Sequence, residues 1–301
     1  MEAVLVEKVT KRYGQVTAVR GLDLCVRKGA LFGLLGPNGA GKTTTLRMLL
    51  RMLVPDEGEI RLFGAPLTDD SQNQVGYLPE ERGLYPRLKV RDNLVFFASI
   101  KGVPESEARR RAASWLARLE LGKWADRKVI DLSKGMQQKV QFIAAIIHKP
   151  PLLILDEPFA GLDPVNATLV KDLMLELKNQ GATVILSTHR MEQVEMMCES
   201  ICLIHAGRKV LDGELKAIKK SYGKNTLRME FEGDGDFLNF PELIEKVNHY
   251  GEVVEAKLRP GADPQEILKR AVESGVRINR FELAEPPLND IFIDLVSKTD
   301  A

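Results

Sequence analysis

The sequence has few cysteines, no long apolar run and no surplus of either charge. Its 301 residues hold three cysteines, Cys25, Cys198 and Cys202. An odd, sparse set excludes a disulfide framework and points to a reducing compartment. Cys198 and Cys202 read as packing residues rather than metal ligands. No apolar stretch reaches the ~18 residues of a membrane span, and Met1-Glu2-Ala3-Val4 lacks the basic region and apolar core of a signal peptide. Any membrane role is therefore expected to come through a partner. Lys plus Arg is 43 and Asp plus Glu 42, a net charge of +1, which gives no reason to expect a nucleic-acid partner. The local basic run Arg109-Arg110-Arg111 reads as a solvated helix face. What remains, 44% hydrophobic and 28% charged residues, is ordinary globular composition. The length suits one large domain, or a large one with a small one.

The chain is organised around Gly36-Pro37-Asn38-Gly39-Ala40-Gly41-Lys42-Thr43, the G-x-x-x-x-G-K-[ST] pattern of a phosphate-binding loop. Before it, Leu31-Phe32-Gly33-Leu34-Leu35 reads as a buried strand. After it, Leu46, Leu49, Leu50 and Leu53 recur at helical spacing. A loop between strand and helix is the context the pattern needs. Its glycines let the backbone turn sharply and aim N–H groups at phosphate oxygens, and the helix adds the positive end of its dipole. Lys42 is expected to reach the β- and γ-phosphates, and the Thr43 hydroxyl to ligate Mg²⁺.

Residues 3–9 and 18–26 look like strands, with Tyr13 on the loop between them. Tyr13 reads equally as an aromatic that stacks on an adenine ring or as a turn residue packing on its neighbours. Short strands at 59–63 and 75–78 follow, and then helical periodicity over 91–100, 105–120 and 136–148. Strand returns at Leu152-Leu153-Ile154-Leu155, with a helix over 165–179, a strand from Thr183 and a helix near 190–197. Strands at 201–205 and 208–212 close this part. Beyond about residue 221 the texture changes. Strands at 225–232, 252–258 and 277–283 alternate with helices at 241–247, 263–273 and 289–296, which suggests a small separate α+β domain. The domains expected are thus 1–220, with a helical block at about 88–148, and 221–301.

Three further stretches carry chemistry. The strand 152–155 ends in Asp156-Glu157. A buried parallel strand ending in Asp brings that carboxylate beside the phosphate loop, where it can hold Mg²⁺ through water. Glu157 is the candidate general base for the water that attacks the γ-phosphate. Ser187-Thr188-His189 closes a second apolar strand, so His189 is placed to reach the same crevice and contact the γ-phosphate or orient the water. Leu132-Ser133-Lys134-Gly135-Met136 precedes a helix with Val140, Ile143 and Ile147 on one face. Ser133 and Gly135 at that N-terminus form either a plain cap or a second anion site.

Together these stretches resemble the nucleotide-binding subunit of an ABC transporter over about residues 3–220. The loop 36–43 resembles the family's Walker A motif, and Asp156-Glu157 its Walker B with the catalytic Glu. Residues 132–138 are similar to the signature, normally Leu-Ser-Gly-Gly-Gln. Gly161-Leu162-Asp163 resembles the D-loop, His189 the switch histidine and Tyr13 the adenine-stacking aromatic. The resemblance implies an α/β P-loop NTPase core with an antiparallel β subdomain, an inserted helical subdomain and the small C-terminal α+β domain. It also implies ATP and Mg²⁺ as cofactors and a homodimer packed head to tail. Each ATP would lie between Lys42, Thr43 and Thr44 of one copy and Ser133 and Gly135 of the other. Hydrolysis would drive a separate integral membrane permease from the cytoplasmic face of the membrane. The wording around Tyr77-Leu78-Pro79-Glu80-Glu81 is similar to ATPase subunits of bacterial type-2 exporters of sodium ions or drugs.

The sequence departs from the family at Lys134 and Met136, and at Glu80, where the Q-loop glutamine is usual. Two unit charges about 4 Å apart at an effective dielectric of about 20 interact by about 4 kcal/mol. A carboxylate facing the γ-phosphate directly would be costly, so Glu80 is expected to meet Mg²⁺ or its water shell, or to turn toward the membrane partner. A soluble ABC ATPase acting on nucleic acid or ribosomes is the alternative. Against it stand the neutral charge, the single cassette and the short helical block between Lys42 and Ser133, where chromosome-type members carry long coiled coils. A P-loop kinase or GTPase would lack the signature, D-loop and His189.

Overall fold

The computed structural model describes residues 1–81, 83–223 and 225–299. The chain divides into two compact units, Met1–Gly213 and Glu214–Ala301. The sequence boundary at 220/221 runs inside a helix, Leu215–Tyr222, that follows this division.

In the first unit the order begins β1 (Glu2–Tyr13), β2 (Val16–Arg27), β3 (Leu31–Leu35), α1 (Lys42–Leu49), β4 (Glu57–Leu62), β5 (Ala65–Pro66) and β6 (Val75–Leu78). A helical block follows: α2 (Val90–Ser99), α3 (Glu105–Arg118) and α4 (Lys134–Ile146). Then come β7 (Leu152–Asp156), α5 (Pro164–Asn179), β8 (Thr183–Thr188), α6 (Met191–Met197), β9 (Ser200–His205) and β10 (Arg208–Glu214).

Two sheets result. One has the order β2-β1-β4-β5 and is antiparallel. The other has the order β10-β9-β3-β8-β7-β6, in which β9, β3, β8, β7 and β6 run parallel. Every residue of β3, β7 and β8 is buried. Parallel strands are covered on both faces, so they read as continuous apolar runs rather than alternating ones. On one face Phe32, Leu34, Leu152 and Ile154 share a core with Leu46 and Leu49 of α1 and with Val4 and Val6 of β1. The other face is so close to α6 that a Cβ at Gly33 would lie 2.9 Å from Val194 Cγ1. Of the arginine run on α3, Arg109 and Arg110 are exposed as expected, while Arg111 is half-buried and donates to the Ile147 carbonyl at 2.9 Å. Arg109 and Arg111 pair with Glu105 and Glu107 one turn back, each at 2.7 Å.

The second unit contains α7 (Leu215–Tyr222), β11 (Thr226–Glu232), β12 (Ile244–Tyr250), β13 (Val253–Leu258), α8 (Pro264–Glu273), β14 (Arg277–Ala284) and α9 (Leu288–Thr299). Its antiparallel sheet has the order β12-β13-β11-β14. Leu227, Met229, Val254 and Ala256 pack with Ile267 and Ala271 of α8.

Two expectations are corrected and one helix is added. The helix at 241–247 is instead the strand β12, because a hairpin at Gly251 folds it back onto β13, pairing Tyr250 with Val253 and Ile244 with Leu258. Gly251 takes φ 65°, the left-handed turn that glycine permits. Ladder pairing thus overrides the helical reading of 241–247. Helix α7 was absent from the sequence reading altogether. Tyr13 is the last residue of β1 rather than part of a loop, and pairs in register with Val16 of β2.

Candidate active site

The loop 36–43 leaves the C-terminal end of β3 and enters α1. Backbone crowding dictates two of its glycines, Gly36 and Gly41. A Cβ at Gly36 would lie 2.1 Å from the Ile204 carbonyl oxygen. At Gly41, which takes φ 106°, it would lie 2.5 Å from that of Ala18. The loop is tied across itself, Ala40 N–H donating to the Pro37 carbonyl at 3.2 Å, and to the turn between β9 and β10, where Gly207 N–H donates to the Ala40 carbonyl at 3.0 Å. Helix α1 has no side-chain cap and no acidic residue in its first turn. Its free N–H groups and dipole suit an anion. Lys42 is buried, with Nζ donating to the carbonyls of Gly36 at 2.7 Å and Pro37 at 3.1 Å. Burial pushes its pKa below the usual lysine value, while Glu157, Asp156 and Glu80 pull it back up.

Three parallel strands end together here, since β7 pairs with β8 and β8 with β3. The pairing sets Asp156 beside Ser187, and Thr188 beside Leu35 at the base of the loop. Thr43 Oγ1 donates to Asp156 Oδ2 at 3.2 Å. Burial raises the Asp156 pKa, against the bond from the Thr43 hydroxyl and the nearby charge of Lys42. A buried carboxylate and hydroxyl in contact are hard oxygen donors, and a cation would relieve the desolvated charge. Glu157 is held by the end of β8. Its Oε1 accepts from His189 N–H at 2.9 Å and lies 2.6 Å from His189 Nδ1, while its Oε2 accepts from Thr188 Oγ1 at 3.0 Å.

Asn38, Gly39, Gly41, Lys42, Thr43, Thr44, Glu80, Asp156 and Glu157, with Ala18, line one cavity of about 390 Å³. Gly36, Pro37, Ala40, His189, Ser133, Gly135 and Tyr13 are not among its walls, and His189 meets the cavity only through its contact with Glu157. Ser133 caps α4, its hydroxyl accepting from Met136 N–H at 3.3 Å. Gly135 packs below α5, where a Cβ would lie 3.1 Å from Asn166 Nδ2. Asp163 caps that helix, accepting from Asn166 N–H at 3.0 Å. Tyr13 is half-exposed beside Lys11, whose Nζ is 6.0 Å from the ring centroid. Among the described residues no three His, Cys, Asp or Glu side chains gather as a metal cluster. A divalent cation at Thr43 and Asp156 would therefore draw most of its shell from phosphate and water.

The profile of the ABC transporter family matches residues 19–160. That of the ATP-binding protein DrrA1-3-like C-terminal domain matches residues 213–296. An uncharacterized ABC transporter ATP-binding protein of Bacillus subtilis, YhaQ, is 47% identical, with 97% of each chain covered. The chain belongs to the ATP-binding proteins of ABC transporters. The linearmycin resistance ATP-binding protein LnrL of the same organism is 32% identical over 97% of this chain and 98% of its own. A solved ATP-binding cassette, dimeric in a post-hydrolysis state with ADP and Pi, is 27% identical with a TM-score of 0.65. It covers 70% of this chain and 98% of its own. This ABC subunit is thus an ATP-binding ATPase of a transporter, and these relatives lend nothing to a nucleic-acid or ribosomal role.

Two further residues of the ABC subunit lie against the candidate site without any role in the sequence pattern. Thr188 is buried and bonded to Glu157. Gln141 of α4 donates to the carbonyls of Pro79 at 3.3 Å and Glu81 at 3.0 Å, so it fixes the backbone on both sides of Glu80. Glu80 lines the phosphate-side cavity and also a second cavity of about 470 Å³, which reaches Leu84, Phe97 and Lys101 of the helical block. The only local signal was a Thr next to His189; Gln141 had none, because α4 meets 79–81 only in the fold.

Proposed function

We propose that the subunit hydrolyses ATP in sites shared between two copies packed head to tail, and that closure and reopening drive export through a separate integral membrane permease. The ATP phosphates lie against loop 36–43, with Lys42 on the β- and γ-phosphates and Thr44 beside them. Thr43 and Asp156 would hold Mg²⁺, which would supply charge neutralisation on the phosphates. Glu157 accepts the proton of the attacking water, His189 faces the γ-phosphate, and Tyr13 stacks on adenine. Glu80 meets the water shell of the metal. Ser133 and Gly135 of the second copy close the site.

One observation carries this reading. Lys42, Thr43, Asp156 and Glu157 wall a single cavity, while the N-terminus of α4, capped by Ser133 and without an acidic residue in its first turn, lies off its walls together with Gly135. A second anion site with no phosphate in its own chain is explained by a partner's nucleotide. The full-length likeness to a resistance protein supports export. No described helix is long and apolar enough to cross a membrane, so a peripheral place on the cytoplasmic face, beside a permease, fits the family. Purification of the tagged chain from detergent-solubilised native membranes tests this. A stoichiometric multi-spanning protein is expected; ribosomal proteins, DNA-repair factors or no companion would contradict it.

A further inference from the structure

We infer that Thr188 is a positioning residue for hydrolysis, holding the carboxylate of Glu157 toward the nucleotide cavity; the inference rests on Glu157 being the base. Thr188 has no exposed surface and is the last residue of β8, in register with Leu35. Its hydroxyl has one proton and two acceptor sites. One acceptor site takes Arg190 N–H at 3.1 Å, and the proton goes to Glu157 Oε2 at 3.0 Å. The hydroxyl is therefore committed in direction by the backbone just beyond it. Glu157 itself takes φ 48°, so a bulky side chain sits in the left-handed region, where the surroundings must hold it.

The division of labour between the two carboxylate oxygens gives Thr188 its importance. An ionised carboxylate offers about four lone-pair sites. His189 claims Oε1 with its N–H and its ring Nδ1. Oε2 has Thr188 on one side, and Glu157 lines the cavity. One site on Oε2 is left for a water in that cavity. Without the hydroxyl, Oε2 would be free to rotate about the His189 contacts, and a displacement of about 1 Å from an attack geometry costs roughly 10²-fold in rate.

The test is steady-state hydrolysis by the full chain carrying Thr188→Val, which keeps the branched shape, and Thr188→Ser, which keeps the hydroxyl. For Thr188→Val we expect kcat to fall by about 10²-fold with KM and ATP affinity unchanged, and for Thr188→Ser a kcat close to wild type. Should the valine variant fail to fold, Thr188→Ala takes its place. In a Glu157→Gln background Thr188→Val should cost nothing further. An unchanged or raised kcat in Thr188→Val, or a loss shared equally by Thr188→Ser, would overturn the inference while leaving Glu157 as the base. A Glu157→Gln chain that hydrolyses at the wild-type rate would instead remove the reading beneath it.

Discussion

Met1–Gly213 and Glu214–Ala301 both keep charged groups away from water, and they satisfy them in different ways. In the first unit Lys42 at the start of α1, and Asp156 and Glu157 at the end of β7, are buried. Burial disfavours the charged forms of Lys42 and Asp156, and their neighbours compensate only in part. In the second unit, among the described residues, the buried polar side chains are Thr226 and Glu255. Glu255 has its own partner, Arg228 Nε at 2.6 Å, and Lys257 meets Asp294 at 2.8 Å. Asp290 is the exception, raised by burial and by the charge of Glu255. Incomplete compensation marks where a charged ligand belongs, and completed pairs mark structure. The charges of the second unit hold α9 to its sheet, since Lys257 is on β13 and Asp294 on α9.

The sharpest way to break this contrast is to remove the charge that a ligand should need. Lys42→Ala should weaken ATP binding by about 10²-fold or more, because truncating a buried charge that pairs with phosphate costs about 2–5 kcal/mol. Titration with a fluorescent ATP analogue reads this directly, and an unchanged affinity would undo the assignment of loop 36–43. Glu157→Gln should leave ATP binding intact and slow hydrolysis by about 10²- to 10³-fold. Gel filtration with ATP should then find a trapped dimer, where wild type gives mostly single chains. Chelating Mg²⁺ from wild type should likewise bring hydrolysis to background; a rate that survives chelation would take Thr43 and Asp156 out of a metal role.

The smallest effect is expected from the second unit. Arg228→Ala leaves Glu255 without its partner in a largely buried place and should cost about 1–3 kcal/mol of stability. Thermal unfolding of the full chain should detect this in Glu214–Ala301, while kcat for ATP stays near wild type. A large loss of hydrolysis without a loss of stability would show that this unit acts on the chemistry, and the contrast between the units would fail.

Much of the first unit was legible because its signals are local. Leu152-Leu153-Ile154-Leu155 is apolar without alternation because both faces are covered. Gly36, Gly41 and Lys42 carry a pattern whose chemistry follows from spacing alone. Ser133 is a cap that a sequence announces. What escaped depends on distant partners. The strand β12 exists because β13 pairs with it. Thr188 matters because register sets the end of β8 against that of β7, and Gln141 because α4 packs under Pro79 and Glu81.

The central claim is that each ATP site is built from two chains, and complementation tests it most directly. Lys42→Ala and Gly135→Glu each place a defect in both sites of a homodimer, and each alone should be inactive. Mixed, they form a dimer in which one site joins an intact Lys42 to an intact Gly135, while the other site carries both defects. The measurement is ATP hydrolysis by the two purified variants, separate and mixed. Activity that appears only on mixing is the result expected. Two inactive variants that stay inactive together, although gel filtration finds them in one dimer, would contradict the shared site.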